Sequence, residues 1–325
     1  LISLYKEKSI ISILLLLTYL LLLYSHDFFF SHQYPLHEAG GACSSLLKNV
    51  ANLSGGVQVF LVLSINFLSA LTLNFIVSEL KLFNNPGYVP ALSFLMLSAL
   101  LPEWHSLSIA RFMVLALITL FYWFIKLYNA VKPSASIYNA GLLAGACLLA
   151  YYPVAPVLIL SFIALAITRP FRGSEWLLLL MGLLTPAYFL AGYLFLNDEL
   201  EKLQVLQTII KPGKIIHPHM EIYAVVIGVG SLFVLYGFFL SNSGTYQTSI
   251  LARKARSLNL AFVICFIPGL FLIKDAFPQA LLLLSLPAAI LLSYVFLQAP
   301  SKIISTISFW ILTALTVYLH WGLGK

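Results

Sequence analysis

Apolar positions in this chain form long unbroken runs rather than the alternations of a half-buried surface element. A helix rising 1.5 Å per residue needs about 20 mostly apolar residues to cross the hydrocarbon core of a bilayer. Such runs fall at 9–28, 56–78, 88–101, 107–128, 135–151, 154–168, 175–196, 221–241, 257–273, 277–297 and 302–321. The run 88–101 is short. The pair 135–151 and 154–168 is hinged at Tyr151-Tyr152-Pro153-Val154-Ala155-Pro156, where each proline removes a backbone donor and disfavours helix just before it. That pair predicts a partly inserted hairpin or two short spans. The predicted fold class is all-α: a polytopic integral membrane helix bundle with about 9–11 transmembrane segments, built as a single transmembrane domain over 1–325.

Composition narrows the function classes. Of the 325 residues, 61% are hydrophobic and 9% charged, and mean hydropathy is +0.97. Soluble domains carry about 25% charged residues, so too few remain here to cover a water-facing surface. This excludes a soluble enzyme and a disordered chain. The net charge of +7 comes from bases scattered between apolar runs without a basic stripe, so no nucleic-acid partner is expected. Cys43, Cys147 and Cys265 lack zinc or redox spacing, and the last two lie inside apolar runs as small packing residues.

Charge also orients the chain. The first run follows Lys6 and Lys8 and leads into Ser25-His26-Asp27 instead of a small-residue cleavage site, so a retained anchor is expected. With the N-terminus cytoplasmic and the eleven runs alternating, eleven Lys and Arg fall inside and seven outside, against three acids inside and eight outside. That bias satisfies the positive-inside rule; the expected location is the cell inner membrane. The two longer polar stretches, roughly 26–55 and 197–220, then both face the outer side; loops of such length in a compact protein are functional or disordered. Within the second, Leu200, Leu203, Leu206, Ile209 and Ile210 share one helical face, which suits a surface helix.

Candidate chemistry is confined to that outer side. Asp27 follows the first span and shares its loop with His32, His37 and Glu38. A carboxylate at the interface is a reasonable general base or metal ligand for a lipid-linked substrate; a solvated loop start is the alternative. Glu103-Trp104-His105 and Arg111 stand between two spans. Arg111 has the geometry to bind phosphate bidentately, or else it snorkels to the interface. Lys211 and Lys214 precede a helix start where an anion would be welcome. His217 and His219, with Glu221, are a second metal candidate, but Pro218 between them enforces an extended geometry. No cofactor is otherwise expected, and a divalent metal is the single candidate. Gly141 and Gly145, and the Asn66, Ser69 and Thr72 stripe, suit close helix packing in lipid. The basic cluster Arg253-Lys254-Ala255-Arg256 sets topology and touches anionic lipid.

Two stretches carry a resemblance. One is Asn139-Ala-Gly-Leu-Leu-Ala-Gly-Ala-Cys-Leu-Leu-Ala-Tyr-Tyr-Pro153, followed by Ile167-Thr-Arg-Pro-Phe-Arg172, Glu175-Trp176 and Gly182-Leu-Leu-Thr-Pro186. The other is Tyr246-Gln-Thr-Ser-Ile-Leu-Ala-Arg-Lys-Ala-Arg256. Together they resemble a multi-pass membrane family of the Bacteroidota defined only as a domain of unknown function. The architecture is loosely similar to that of GT-C-type glycosyltransferases that use polyprenyl-phosphate carriers. That similarity implies Asp27 as base with Glu38 second, and Glu103, Arg111, Lys211, Lys214 or His219 facing the substrate or lipid phosphate. The chain departs from it in having no paired acids in the first loop and no large outer domain.

Three function classes follow: a transferase acting on a lipid-linked donor, a non-catalytic membrane subunit with a protein partner, and a transporter. Pro153, Pro156, Pro268 and Pro287 favour the last, since transporter sites use broken helices. The lack of mid-span acids or lysines speaks against it.

Overall fold

A computed structural model describes residues 2–29, 55–198, 220–243, 249–270 and 277–321. Among these residues the chain is all helix. The helices are α1 (Ile2–Tyr5), α2 (Ile10–Leu23), α3 (Ser25–Phe29), α4 (Gly55–Glu79), α5 (Val89–Ser98), α6 (Ile109–Lys126), α7 (Ser134–Ala150) and α8 (Pro156–Thr168). They continue with α9 (Gly173–Leu196), α10 (Met220–Ser243), α11 (Ile250–Gly269), α12 (Phe277–Leu283), α13 (Ser285–Gln298) and α14 (Lys302–Trp321). Among the described residues five helical segments are long and apolar enough to cross a membrane, or six if α12 and α13, bent by 52° at Leu284, act as one. Helices α2, α5, α7 and α8 are apolar but shorter, at 10–17 residues, so the count of bilayer-length segments is five or six against the about 9–11 expected from the sequence.

Three boundaries differ from the hydrophobic pattern for identifiable reasons. The run 9–28 breaks at Tyr24, so Asp27 sits on the separate helix α3. The run 257–273 begins earlier, at Ile250, because Ser249 caps the Ala252 amide at 3.1 Å and draws Arg253, Lys254 and Arg256 into the helix. The proline hinge becomes a 3-10 turn, Tyr152–Val154, between α7 and α8.

The helices run alternately between two ends of one bundle. One end is basic. There Lys126 meets Glu79 at 2.8 Å, and Arg169 Nη1 donates to the carbonyls of Leu127 and Ala130 at 3.0 and 3.2 Å. Lys254 donates to the Ile167 carbonyl and Arg256 to that of Ser241. Helices α7 and α8 form an antiparallel hairpin: Ser136 and Asn139 line a cavity with Lys126 and Ala130, and Arg169, just past α8, returns to the same place. The opposite end carries Asp27, Glu103, Asp198 and Glu221, with Arg111 the base among the described residues.

Small residues set the closest approach. A methyl added at Gly141 would lie 2.6 Å from the Leu179 carbonyl, and one at Gly182 would strike the Tyr138 carbonyl. Helices α7 and α9 therefore pack backbone to backbone, as the small-residue spacing predicts. Every residue of α5 is buried. It packs against α4 and α13, and the Ser293 hydroxyl reaches that of Ser93 at 3.2 Å. The outside is the reverse: Ile10, Phe60, Tyr188, Phe189, Leu232 and Trp310 are all more than half exposed. Cys147 is buried and Cys265 half-buried, both as packing residues.

Candidate functional site at the carboxylate end

Five pieces of chain meet at the carboxylate end to bury a polar cluster. Tyr24, at φ −97° and ψ 9°, ends α2 and turns the chain into α3, which carries Asp27. Pro102 opens a 3-10 turn that ends at His105. This turn is pinned by the Trp104 indole N–H, which donates to the Pro278 carbonyl at 2.7 Å. Arg111 lies in the first turn of α6, Asn66 in α4, and His320 at the last turn of α14.

The centre is a contact between His105 Nδ1 and Asp27 Oδ2 at 2.5 Å, with side chains 0% and 7% exposed. The His105 ring is sandwiched. Tyr24 stacks on it at 3.9 Å between centroids and 14°, and His320 lies at 4.1 Å and 33°. The Tyr24 hydroxyl oxygen accepts from Asn66 Nδ2 at 2.5 Å and from Arg111 Nη2 at 3.2 Å. Arg111 Nε donates to the Ser106 carbonyl at 3.2 Å. Arg111 is only 2% exposed.

Charge balance fixes the proton positions. A lone buried cation costs several kcal/mol (roughly, after relaxation) unless it is compensated. Arg111 and an ionised Asp27 cancel if His105 is neutral and donates through Nδ1. Burial pushes the Asp27 carboxyl up, the hydrogen bond from His105 pulls it down, and the net direction is below the usual carboxylate value. Asp27 is thus ready to accept a proton from a hydroxyl. The bond that keeps it ionised also lowers its basicity, so its effectiveness rests on positioning and on exclusion of water.

Three polar atoms of the cluster and its rim are buried without a hydrogen-bond partner: Arg111 Nη1, His320 Nε2 and Glu103 Oε2. His320 donates through Nδ1 to the Thr316 carbonyl at 2.7 Å, which leaves Nε2 as a lone-pair acceptor. The other Glu103 oxygen takes a hydrogen bond from the Tyr223 hydroxyl. Buried polar atoms are nearly always satisfied; others without a partner, among them Asn74 Oδ1, Ser78 Oγ and Asn259 Oδ1, lie elsewhere in the bundle.

Of the residues singled out from sequence, Asp27 and Arg111 join this cluster directly. Glu103 stands at its rim, two residues from His105. Glu38, Lys211, Lys214 and His219 lie outside the described residues, as do the bulk of both long loops and the surface helix predicted over 200–210. Sequence reading left Tyr24, Asn66 and His320 unassigned. Asn66 belongs to the polar stripe on α4 that suggested helix packing; it packs, and its amide also supports Tyr24. Nothing local to His320 distinguishes it from a terminal interfacial histidine. Among the described residues no group of three or more His, Cys, Asp or Glu side chains is placed to hold a metal ion. No family model, curated protein or solved structure matches the chain.

Proposed function

We propose that the chain is a multi-pass protein of the inner membrane with a cytoplasmic N-terminus, and that its carboxylate end is a GT-C-like transferase site for a polyprenyl-phosphate-linked donor at the outer leaflet. Membrane embedding is supported by the apolar exterior. Helices α9 and α10 bury only 17% of their most apolar windows, an exposure of large side chains that water does not tolerate over such an area. The orientation is supported by the segregation of bases to one end and of acids to the other.

The observation that carries the reading is the Asp27–His105 pair at 2.5 Å beside a buried guanidinium with an unused Nη1. Asp27 accepts the proton of the incoming hydroxyl. His105 is a positioning residue behind it. Arg111 offers its free N–H to the phosphate oxygen that gains charge as the sugar leaves, where a fixed donor in a dry site counts most. The bond broken joins the sugar to the phosphate, and the bond formed joins it to the acceptor oxygen. Purified protein in liposomes, given a polyprenyl-phosphate sugar and a hydroxyl acceptor, should release polyprenyl phosphate. Asp27→Asn should abolish that release at unchanged expression. Full turnover by Asp27→Asn rejects the assignment.

A second reading has its own support. Tyr24, Arg111 and His105 are almost fully buried, as expected if the cluster merely ties the bundle end together in a non-catalytic subunit held by a membrane partner. In that case the same substitutions lower stability and leave no chemical activity to lose.

A further inference from the structure

A cavity of about 510 Å³ opens at the basic end of the bundle, away from the carboxylate cluster. Its polar lining includes Lys6, Lys81, Asn84, Asn85 and Gln298, and the buried side chains of Leu82 and Phe83 form its floor. Two positive charges share this space, and no acid is among its described lining residues. Neither lysine forms an ion pair with a described residue. The chain builds their meeting. The Tyr88 amide donates to the Tyr5 carbonyl at 2.7 Å, which holds the backbone next to Lys6 against the loop after α4. Gly87, at φ +55°, permits this approach, since a methyl there would lie 2.3 Å from the Tyr5 carbonyl oxygen. Asn74 Nδ2 ties the same loop to α4 by donating to the Gly87 carbonyl at 3.0 Å.

Lys81 carries a second, independent signal. Helix α4 ends in a left-handed cap: the Lys81 amide donates to the Ser78 carbonyl and the Leu82 amide to the Val77 carbonyl, both at 3.2 Å, with Lys81 at φ +49°. Glycine is the usual residue there, because a side chain adds strain that glycine avoids. Strain of this kind collects at ligand contacts. A cation also complements the carbonyl end of a helix, but that does not bring Lys6 and three side-chain amides to the same cavity. We propose that the cavity binds a phosphate monoester, with Lys6 and Lys81 contacting its oxygens and Asn84, Asn85 and Gln298 supplying neutral donors. A monoester carries about −1.5 to −2 charges near neutral pH, which matches two lysines; a carboxylate or a phosphodiester carries a single charge. The group is borne either by a lipid headgroup of the adjoining leaflet or by a soluble molecule. The site lies at the opposite end of the bundle from Asp27, and the proposal stands apart from the transferase reading.

The test uses the full-length protein in phosphatidylcholine nanodiscs doped with phosphatidic acid, a monoester, or phosphatidylglycerol, a diester, and reads lipid retention by native mass spectrometry. A parallel titration with glycerol phosphate, followed by melting temperature, reads the soluble arm. The monoester should be preferred in at least one arm. Lys81→Gly should weaken its binding by about tenfold, the loss of one charge-assisted hydrogen bond, without lowering the melting temperature of the unliganded protein, because glycine suits the cap. Lys6→Gln should weaken binding similarly and keeps the test decisive if Lys81→Gly folds poorly. Lys132→Gln, at an exposed position outside the cavity, should bind like the wild type. Phosphatidic acid retention lost in the two cavity variants assigns the lipid source, and a glycerol phosphate response lost in them assigns the soluble one; either supports the site. Equal retention of the two lipids with no glycerol phosphate response overturns the proposal. So does monoester binding that both cavity variants leave intact, or that Lys132→Gln weakens as much as they do.

Discussion

The Asp27–His105 contact gives a quantitative prediction that does not depend on any substrate. Asp27→Asn keeps the shape and removes the charge. The contact is 2.5 Å long and both side chains are nearly water-free, so solvent screening discounts it little. A hydrogen bond to a charged group contributes about 1.5–3 kcal/mol, and a neutral one about 1 kcal/mol. The replacement should therefore cost about 1–2 kcal/mol from that bond and about 3–5 kcal/mol in all, because it also leaves Arg111 as an uncompensated buried cation; Asp27→Ala should cost more still, because His105 is then left buried without an acceptor. A double-mutant cycle with His105→Gln, read by reversible denaturation in detergent micelles, should return a coupling of about 1–2 kcal/mol. The pH dependence has a definite sign. Asp27 is held below its ordinary value of 3.8, so its contribution is fully present above that pH and is lost as pH falls through the lower, folded-state value. The gap between wild type and Asp27→Asn should stay constant from neutral pH down to about 4 and close only below it. A coupling under about 0.5 kcal/mol, within the spread for independent sites, or a gap that closes between pH 7 and 5, would refute the assigned protonation and the role of His105.

Other predictions follow from the packing and charge distribution. Gly182→Ala forces a methyl onto the Tyr138 carbonyl and should cost about 1–3 kcal/mol through overpacking of α7 against α9, whereas Gly192→Ala, with nothing within 4 Å, should be neutral in the same thermal assay. Arg169→Ala removes the bond to Glu175 at 2.9 Å and both carbonyl contacts, and should loosen the α6–α8 junction by about 2–4 kcal/mol, with Arg169→Lys only a partial rescue because a lysine cannot reproduce the planar fork. In a cysteine-free background, single cysteines at Lys132 and Lys302 should label only from the cytoplasmic side and one at Asp198 only from the outside; labelling of all three from one side rejects the alternating topology.

The hydrophobic runs made the helices legible because a bilayer-length apolar stretch has few other solutions. Helix ends were less legible, since they depend on local hydrogen bonds: the Ser249 cap that starts α11 early, or the Tyr24 break that detaches Asp27 from α2. The site was half legible. Asp27 and Arg111 stood out as ionisable groups beside apolar runs, which is costly without a reason. Tyr24, Asn66 and His320 did not, because their significance lies in pairings across 42, 87 or more residues that no local spacing encodes. His105 lies 78 residues from its partner Asp27 and was visible only as part of the Glu103-Trp104-His105 string.

Arg111 and Arg169 differ in how fully their donors are used, and that difference bears on whether the cluster is a tie or a site. A structural tie is most stable when every buried donor and acceptor has a partner, because each orphan costs about 1–3 kcal/mol. Arg169 at the basic end is engaged by two carbonyls and a carboxylate, while Asn74 Oδ1, Ser78 Oγ and Asn259 Oδ1 elsewhere in the bundle have no partner. Arg111 is more deeply buried yet leaves Nη1 unused, next to a ring system whose outer member, His320, leaves Nε2 unused as well. If the cluster existed only to hold helices together, replacing Arg111 by an apolar residue of similar length should stabilise the fold, as removal of imperfectly satisfied buried charge commonly does. Arg111→Met together with Asp27→Asn tests this. A double variant more stable than wild type by about 1 kcal/mol or more, but without transferase activity, means that stability has been given up there for function. A double variant that is more stable and equally active assigns the cluster to architecture alone.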